Sequence, residues 1–180
     1  MAVAYCLPIY EFEGARPSIG STSFVHETAT IIGSVQIGEE CFVGAGAVIR
    51  GDYGRIVIGD RTSVQENCVI HARENEICKI GNEVQLGHGC VLHNCEIHDH
   101  AVIGLGSRVC DYAVVGDWAI VGEGAVVVAR STIPDGKVAV GAPARVVRDT
   151  SDHDRAVWSV YKQRYAELCK RYSRGLRRIG

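Results

Sequence analysis

Three of the seven histidines, His71, His88 and His93, fall within residues 70–94. Imidazole is a common metal ligand, and its neutral form suits zinc, iron and copper. Three histidines leave the fourth position of a tetrahedral ion open, as a catalytic site requires. A divalent ion so held turns water into a nucleophile near neutral pH. Zn2+ is the expected ion, and Fe2+ and Co2+ also accept imidazole. The chemistry depends on whether the chain can bring these rings together.

A repeat says how it could. Aliphatic residues recur every six positions: Ile19, Val25, Ile31, Ile37, Val43 and Ile49. Past an insertion around 53–55 come Ile58, Val64 and Ile70. Past a second, around 73–79, come Ile80, Leu86 and Leu92. After one step a residue short, the series runs from Ile97 to Ala139. The residue four places on is mostly small or aliphatic, as at Ala29, Cys41, Cys68, Cys90 and Ala101. Such a period is the signature of a parallel β-helix, with the aliphatic residues stacked inside and glycine allowing sharp corners. The period does not set the handedness.

Three steps make one coil, so residues three steps apart share a face. Ile49, Ile70, Leu92 and Val109 then form one inward column. The residues after them, Arg50, His71, His93 and Cys110, form an outward one. Coils are ~4.8 Å apart, close enough for His71 and His93 to converge on one ion. His88, two places after Leu86, lies at the edge of a different face. It reaches the same ion only if a neighbouring copy supplies it, which predicts a homotrimer with three sites between subunits. The other histidines, His26, His98, His100 and His153, show no such register and read as surface residues.

Further polar residues surround this set. Arg50 stays protonated and cannot be a ligand. It can pair with Asp52, across the interface or within the wall of the site, as a plain salt bridge or with a catalytic role. Gln65 can orient an attacking hydroxide or cap a coil edge. Glu74, on the insertion after His71, can shuttle protons or stand as a solvated loop charge.

The remaining composition bounds the class. The chain has 180 residues and a net charge of −2, with 21 glycines and many Val and Ile. Near neutrality gives no reason to expect nucleic acid as a partner. No segment is apolar for long enough to span a membrane, and residues 1–7 lack the basic start of a signal peptide. The eight cysteines form no C-x-x-C pair and read as small buried hydrophobes in a reducing, cytoplasmic setting. From Val146 the period stops. Asp149, Ser151, Asp152 and Asp154 mark a helix start. Val157, Tyr161, Tyr165, Leu168 and Tyr172 then recur at helical spacing, which predicts an amphipathic helix packed on the coils. The expected organisation is a lead-in over 1–18, a β-helix over 19–148 and a helix over 149–180. The fold class is all-β with a C-terminal α-helix.

The strings R-G-D-Y-G-R-I-V-I-G, V-Q-E-N-C-V-I-H, L-G-H-G-C-V-L-H and G-A-P-A-R-V-V-R together resemble the γ-class carbonic anhydrase family of left-handed β-helix trimers. The resemblance implies the left hand. It implies His71 and His93 as ligands from one subunit and His88 as the ligand from its neighbour. Arg50 and Asp52 would be a structural ion pair, Gln65 the residue orienting the hydroxide, and Tyr165 a helix tyrosine approaching the metal. The chain departs from characterised active members at Tyr53, where they carry an acidic residue, and in its brief loop after His71. The strings S-F-V-H-E-T-A and R-G-D-Y-G-R-I-V also resemble a branch linked to phenylacetate and carnitine metabolism, part of which hydrolyses CoA thioesters.

The implied activity is reversible hydration of CO2 to bicarbonate. Alternatives are a metal-dependent acyl-CoA thioesterase, a metal-free hexapeptide acyltransferase and a non-catalytic trimeric scaffold.

Overall fold

A computed structural model describes residues 8–179; the reading of residues 1–7 lies outside them. Among the described residues are twenty strands and one helix. The strands stack in parallel as a left-handed β-helix of triangular section.

The first face contains the start of the long strands Thr30–Ile37 and Val48–Ile58, then Val69–His71, Val91–His93, Arg108–Val109 and Val126–Val127. The two long strands turn a corner into the second face, which continues with Ile77–Ile80, Glu96–Ile97, Val114–Val115 and Thr132–Ile133. The third face runs from Phe24–Val25 through Phe42–Val43, Ser63–Val64, Gln85–Leu86, Val102–Ile103 and Ile120–Val121 to Lys137–Val140. The stack is extended at one end, where Ile9–Tyr10 pairs with the first long strand. At the other, Arg145–Asp149 folds back antiparallel on Lys137–Val140. Both additions cover coil edges that would otherwise expose unpaired backbone groups.

The six-residue columns are the core. Ile49 pairs with Ile70, Ile70 with Leu92 and Leu92 with Val109, and all four are buried. Each Ile or Leu taken fully from water contributes roughly 1.5–3 kcal/mol. The small residues fill the inside of the corners: Ala29, Cys68, Cys90 and Ala101 have no exposed surface. Six of the seven described cysteines are buried and all seven are free thiols, as small interior hydrophobes should be.

Glycine plays two parts, and the first is the expected one: Gly46, Gly89, Gly106 and Gly124 take corner positions at φ of 69°, 70°, 65° and 66°. Many corners with positive φ carry other residues, among them Arg61 at 55°, Asn67 at 60° and Trp118 at 57°. The glycine after an aliphatic residue is required by close approach instead. At Gly104 a Cβ would lie 2.6 Å from the Glu123 backbone nitrogen on the next coil.

Helix α1, Asp152–Gly175, is started by a capping box between Ser151 and Asp154. Arg148 binds the same Asp154 carboxylate at 2.5 and 3.1 Å. It runs back along the stack, against one corner and the third face. Tyr165 and Tyr172 pack edge-on against Phe42, with ring centroids 5.4 Å away in each case. The buried helix residues are Lys162, Ala166 and Cys169, whereas Val157 and Tyr161 are exposed. The packed face is therefore rotated from the apolar stripe in the sequence. The cause is a ladder of side chains on successive corners. Lys170 pairs with Glu40 at 3.0 Å, Gln163 accepts from Arg61 at 3.1 Å, and Lys162 lies 4.3 Å above the Trp118 ring. His100 stacks on the other side of this ladder, 4.6 Å from Trp118, so it is a packing residue and not a plain surface one.

Candidate metal centre

The outward column next to the core is in the expected register: Arg50 pairs with His71, and His71 with His93. Both histidines end short strands at the corner between the first and second faces. His71 Nδ1 lies 3.1 Å from His93 Nε2. Two nitrogens bound to one tetrahedral zinc at about 2.0–2.1 Å are themselves roughly 3.3–3.4 Å apart, so these rings need only a small separation to reach that spacing.

Each ring is held from its far side. His71 Nε2 is 3.0 Å from Asp52 Oδ1, and His93 Nδ1 is 2.6 Å from Asp111 Oδ1. An ionised carboxylate only accepts, so each imidazole donates from that nitrogen. His71 Nδ1 and His93 Nε2 then present lone pairs to each other. Lone pairs at this separation repel unless a metal ion, or a proton on one ring as imidazolium, lies between them. Imidazoles oriented by carboxylates in this way are the usual form of metal-ligating histidines.

The carboxylates are themselves supported. Arg50 Nη1 donates to Asp52 Oδ2 at 2.5 Å within the same chain, and Arg73 Nη1 to Asp111 Oδ2 at 3.2 Å. Burial would push both carboxyls up. At Asp52 the hydrogen bonds from Arg50 and His71 outweigh it, and at Asp111 those from His93 and Arg73 do, so both stay below the usual carboxylate range. Tyr53 stands edge-on to His71, 6.0 Å between ring centroids.

The other candidates form a second group on a different corner, between the third and first faces. His88 Nδ1 lies 2.5 Å from Glu66 Oε2, which leaves its Nε2 as the outward nitrogen. Tyr165, on α1, has its hydroxyl pushed up by burial and then by the Glu66 charge, which places it with this group and not with His71. Gln65 is buried beside them on the third face. Glu74 is exposed on the turn after His71 and joins neither group. Among the described residues, no three His, Cys, Asp or Glu side chains of one chain converge as a metal set.

Asp111 and Glu66 are the residues that sequence reading missed. Glu66 carried a usable signal, because Val64 pairs with Leu86 and Glu66 and His88 each lie two residues further on. Asp111 carried less. It is offset by a residue from the histidine column, and only the corner geometry swings its carboxylate back.

Comparison with known proteins bears on the fold and the family. The family described as bacterial transferase hexapeptide (six repeats) matches residues 16–51. The chain is 33% identical over 170 residues to the carnitine operon protein CaiE of Proteus sp. (strain LE138), covering 94% of this chain and 86% of that one. It is 37% identical over 164 residues to a carbonic anhydrase of Geobacillus kaustophilus (strain HTA426), covering 91% and 90%. A solved Bacillus cereus structure described as an acetyltransferase superposes with a TM-score of 0.90 at 35% identity, over 91% of this chain and 95% of that one. The chain belongs to the γ-class carbonic anhydrase-like family of hexapeptide-repeat proteins, near the CaiE branch.

Proposed function

We propose that the protein is a zinc-dependent carbonic anhydrase that works as a homotrimer, each site combining His71 and His93 of one subunit with His88 of the next. The observation that carries this is the facing pair His71 Nδ1 and His93 Nε2, 3.1 Å apart, each ring anchored by a carboxylate on its other nitrogen. The third imidazole lies against the Glu66 carboxylate, and three histidine ligands would leave a fourth position for water. When bound, the divalent ion supplies Lewis acidity, bringing water's pKa down to about 7.

The chain's own residues supply orientation and proton movement. Asp52, Asp111 and Glu66 fix which nitrogen each histidine offers. Arg50 keeps Asp52 ionised and in place. Gln65, on the His88 corner, orients the attacking oxygen by a hydrogen bond. Hydration of CO2 gives bicarbonate and one proton, and Glu74, exposed on the turn three residues after His71, takes that proton towards solvent. Tyr165 shields the His88 side of the site. Iron(II) or cobalt(II) would fit the same ligands.

A second reading is hydrolysis of an acyl-CoA thioester at the same centre. It is favoured by an apolar cleft that starts at Gly87, one residue from His88. The acetyltransferase description of the Bacillus cereus structure supplies a third, acyl transfer without a metal.

The test is one preparation, reconstituted anaerobically with zinc, iron(II) or cobalt(II), and assayed for metal content, CO2 hydration, acyl-CoA hydrolysis and acetyl transfer. One ion per chain and CO2 hydration are expected, with both lost in His71→Ala, His88→Ala and His93→Ala. Full occupancy in any of these variants overturns the ligand set. Full metal with thioester hydrolysis alone replaces the reaction, and acetyl transfer by metal-free protein replaces the class.

A further inference from the structure

The two corners that carry the histidines continue above and below them. On the His88 corner, Ala45, Glu66, His88, Leu105 and Glu123 stack on successive coils, tied by backbone hydrogen bonds. On the other corner, Tyr53, His71, His93, Tyr112 and Arg130 occupy the same five coils. Each residue of the first column is separated from its counterpart in the second by one strand of the first face. The two columns therefore rise together.

Away from the histidines both columns meet solvent. Tyr53 is 65% exposed, Leu105 44% and Tyr112 37%, and Glu123 and Arg130 are exposed as well. Neither Glu123 nor Arg130 has an ion-pair partner among the described residues. Arg148, which lines a cleft together with Glu123, is held by Asp154. Arg130 lies over the Tyr112 ring, 4.6 Å from its centroid.

We propose that these two corners clasp each other between subunits, level by level, with Glu123 of one subunit paired to the partner subunit's Arg130. The clasp rests on the homotrimer proposed above. A three-fold axis along the stack leaves every residue at its own height. Bringing His88 against the partner subunit's His71 and His93 then sets all the other levels. One coil up, Leu105 meets the partner subunit's Tyr112. Two coils up, roughly 10 Å at ~4.8 Å per coil, Glu123 meets the partner subunit's Arg130. Two coils down, the small Ala45 leaves room for the partner subunit's Tyr53. Apolar meets apolar, base meets acid and large meets small at the levels where no histidine stands. A slip of one coil would set Glu123 against a tyrosine and strand the arginine. Complementary charge of this kind fixes register more than it adds affinity, so the clasp holds His88 at the height of the two rings it must complete.

The test is charge reversal, read by sedimentation of the full-length protein over a dilution series. Urea below the unfolding transition is added where dilution alone does not dissociate it. The natural chain is expected as a trimer. Glu123→Arg and Arg130→Glu each set like charges face to face, and each should dissociate the trimer at concentrations roughly tenfold higher or more. The double reversal should return it close to the natural value, as residues in contact do and distant ones do not. A natural chain that sediments as a monomer overturns the trimer and the clasp together. A trimer that neither reversal weakens, or that the double reversal weakens by the sum of the two, overturns the clasp alone. Should a reversal not fold, Glu123→Gln, Arg130→Gln and their double variant replace it. The clasp then requires the double to lose no more than either single, and an additive loss overturns it.

Discussion

Asp52 and Asp111 each hold one nitrogen of His71 and His93, and Glu66 lies against His88, so these carboxylates would set which nitrogen each candidate ligand leaves free. Asp111 is the most informative of them, since it touches His93 and would not touch the ion. Replacing it by Asn keeps the shape and removes the charge that fixes the His93 tautomer. Losing such an outer partner typically weakens metal binding 10–100-fold. Asp111→Asn should show that loss in competition with a chromophoric chelator, with an unchanged circular dichroism spectrum. Arg73→Met, which removes the cation behind Asp111, should give a smaller loss in the same assay. An Asp111→Asn protein that binds metal as tightly as the natural chain would mean that the carboxylate does not orient the ring.

At the scale of elements, the helix is docked by the corner ladder as much as by apolar burial. Lys162 is 3% exposed, donates to the His100 carbonyl at 2.5 Å and lies over Trp118. Burial pulls its ammonium from the ordinary 10.5 to about 8, with Glu83 opposing. Between those values the unfolded chain keeps a proton that the folded chain has released. Stability therefore rises with pH across this window, and the gain is lost as pH falls through 8. The gain is at most about 3 kcal/mol, less whatever the ring and carbonyl contribute to the charged form. Urea unfolding at pH 7 and pH 10 should show a larger increase for the natural chain than for Lys162→Met. An equal increase in both would assign the pH dependence to other groups.

The whole molecule has three unlike faces. The third is covered by α1. The second carries mainly polar outward residues, including Gln36, Lys79, Glu96 and Thr132. The first, which bears His71 and His93, has Val48, Val69 and Val91 in succession in its outward column, ahead of Arg108 and Val126, and Val69 is 37% exposed. An apolar stripe beside an incomplete metal set is the surface that a second copy would cover. Val69→Glu should then give a folded species near the chain mass of 19.4 kDa in analytical ultracentrifugation. It should also lose its metal with every histidine in place. A Val69→Glu monomer that keeps one ion per chain would place all the ligands within a single subunit.

The six-residue period was enough to set the coils, the inward columns and the pairing of His71 with His93. In a β-helix those follow from counting: each coil adds a fixed number of steps, and backbone hydrogen bonds lock the register. The burial of Cys41, Cys68 and Cys90 followed from the same count. What counting could not supply lies at the corners, where the backbone turns and side chains reach sideways. There the tertiary structure decided that Asp52 and Asp111 hold the rings and that Glu66 meets His88. It also decided that glycine serves close approach between coils, and that Lys162 and not Val157 faces inward. Those contacts depend on the reach of individual side chains across neighbouring coils, and no period in the sequence records them.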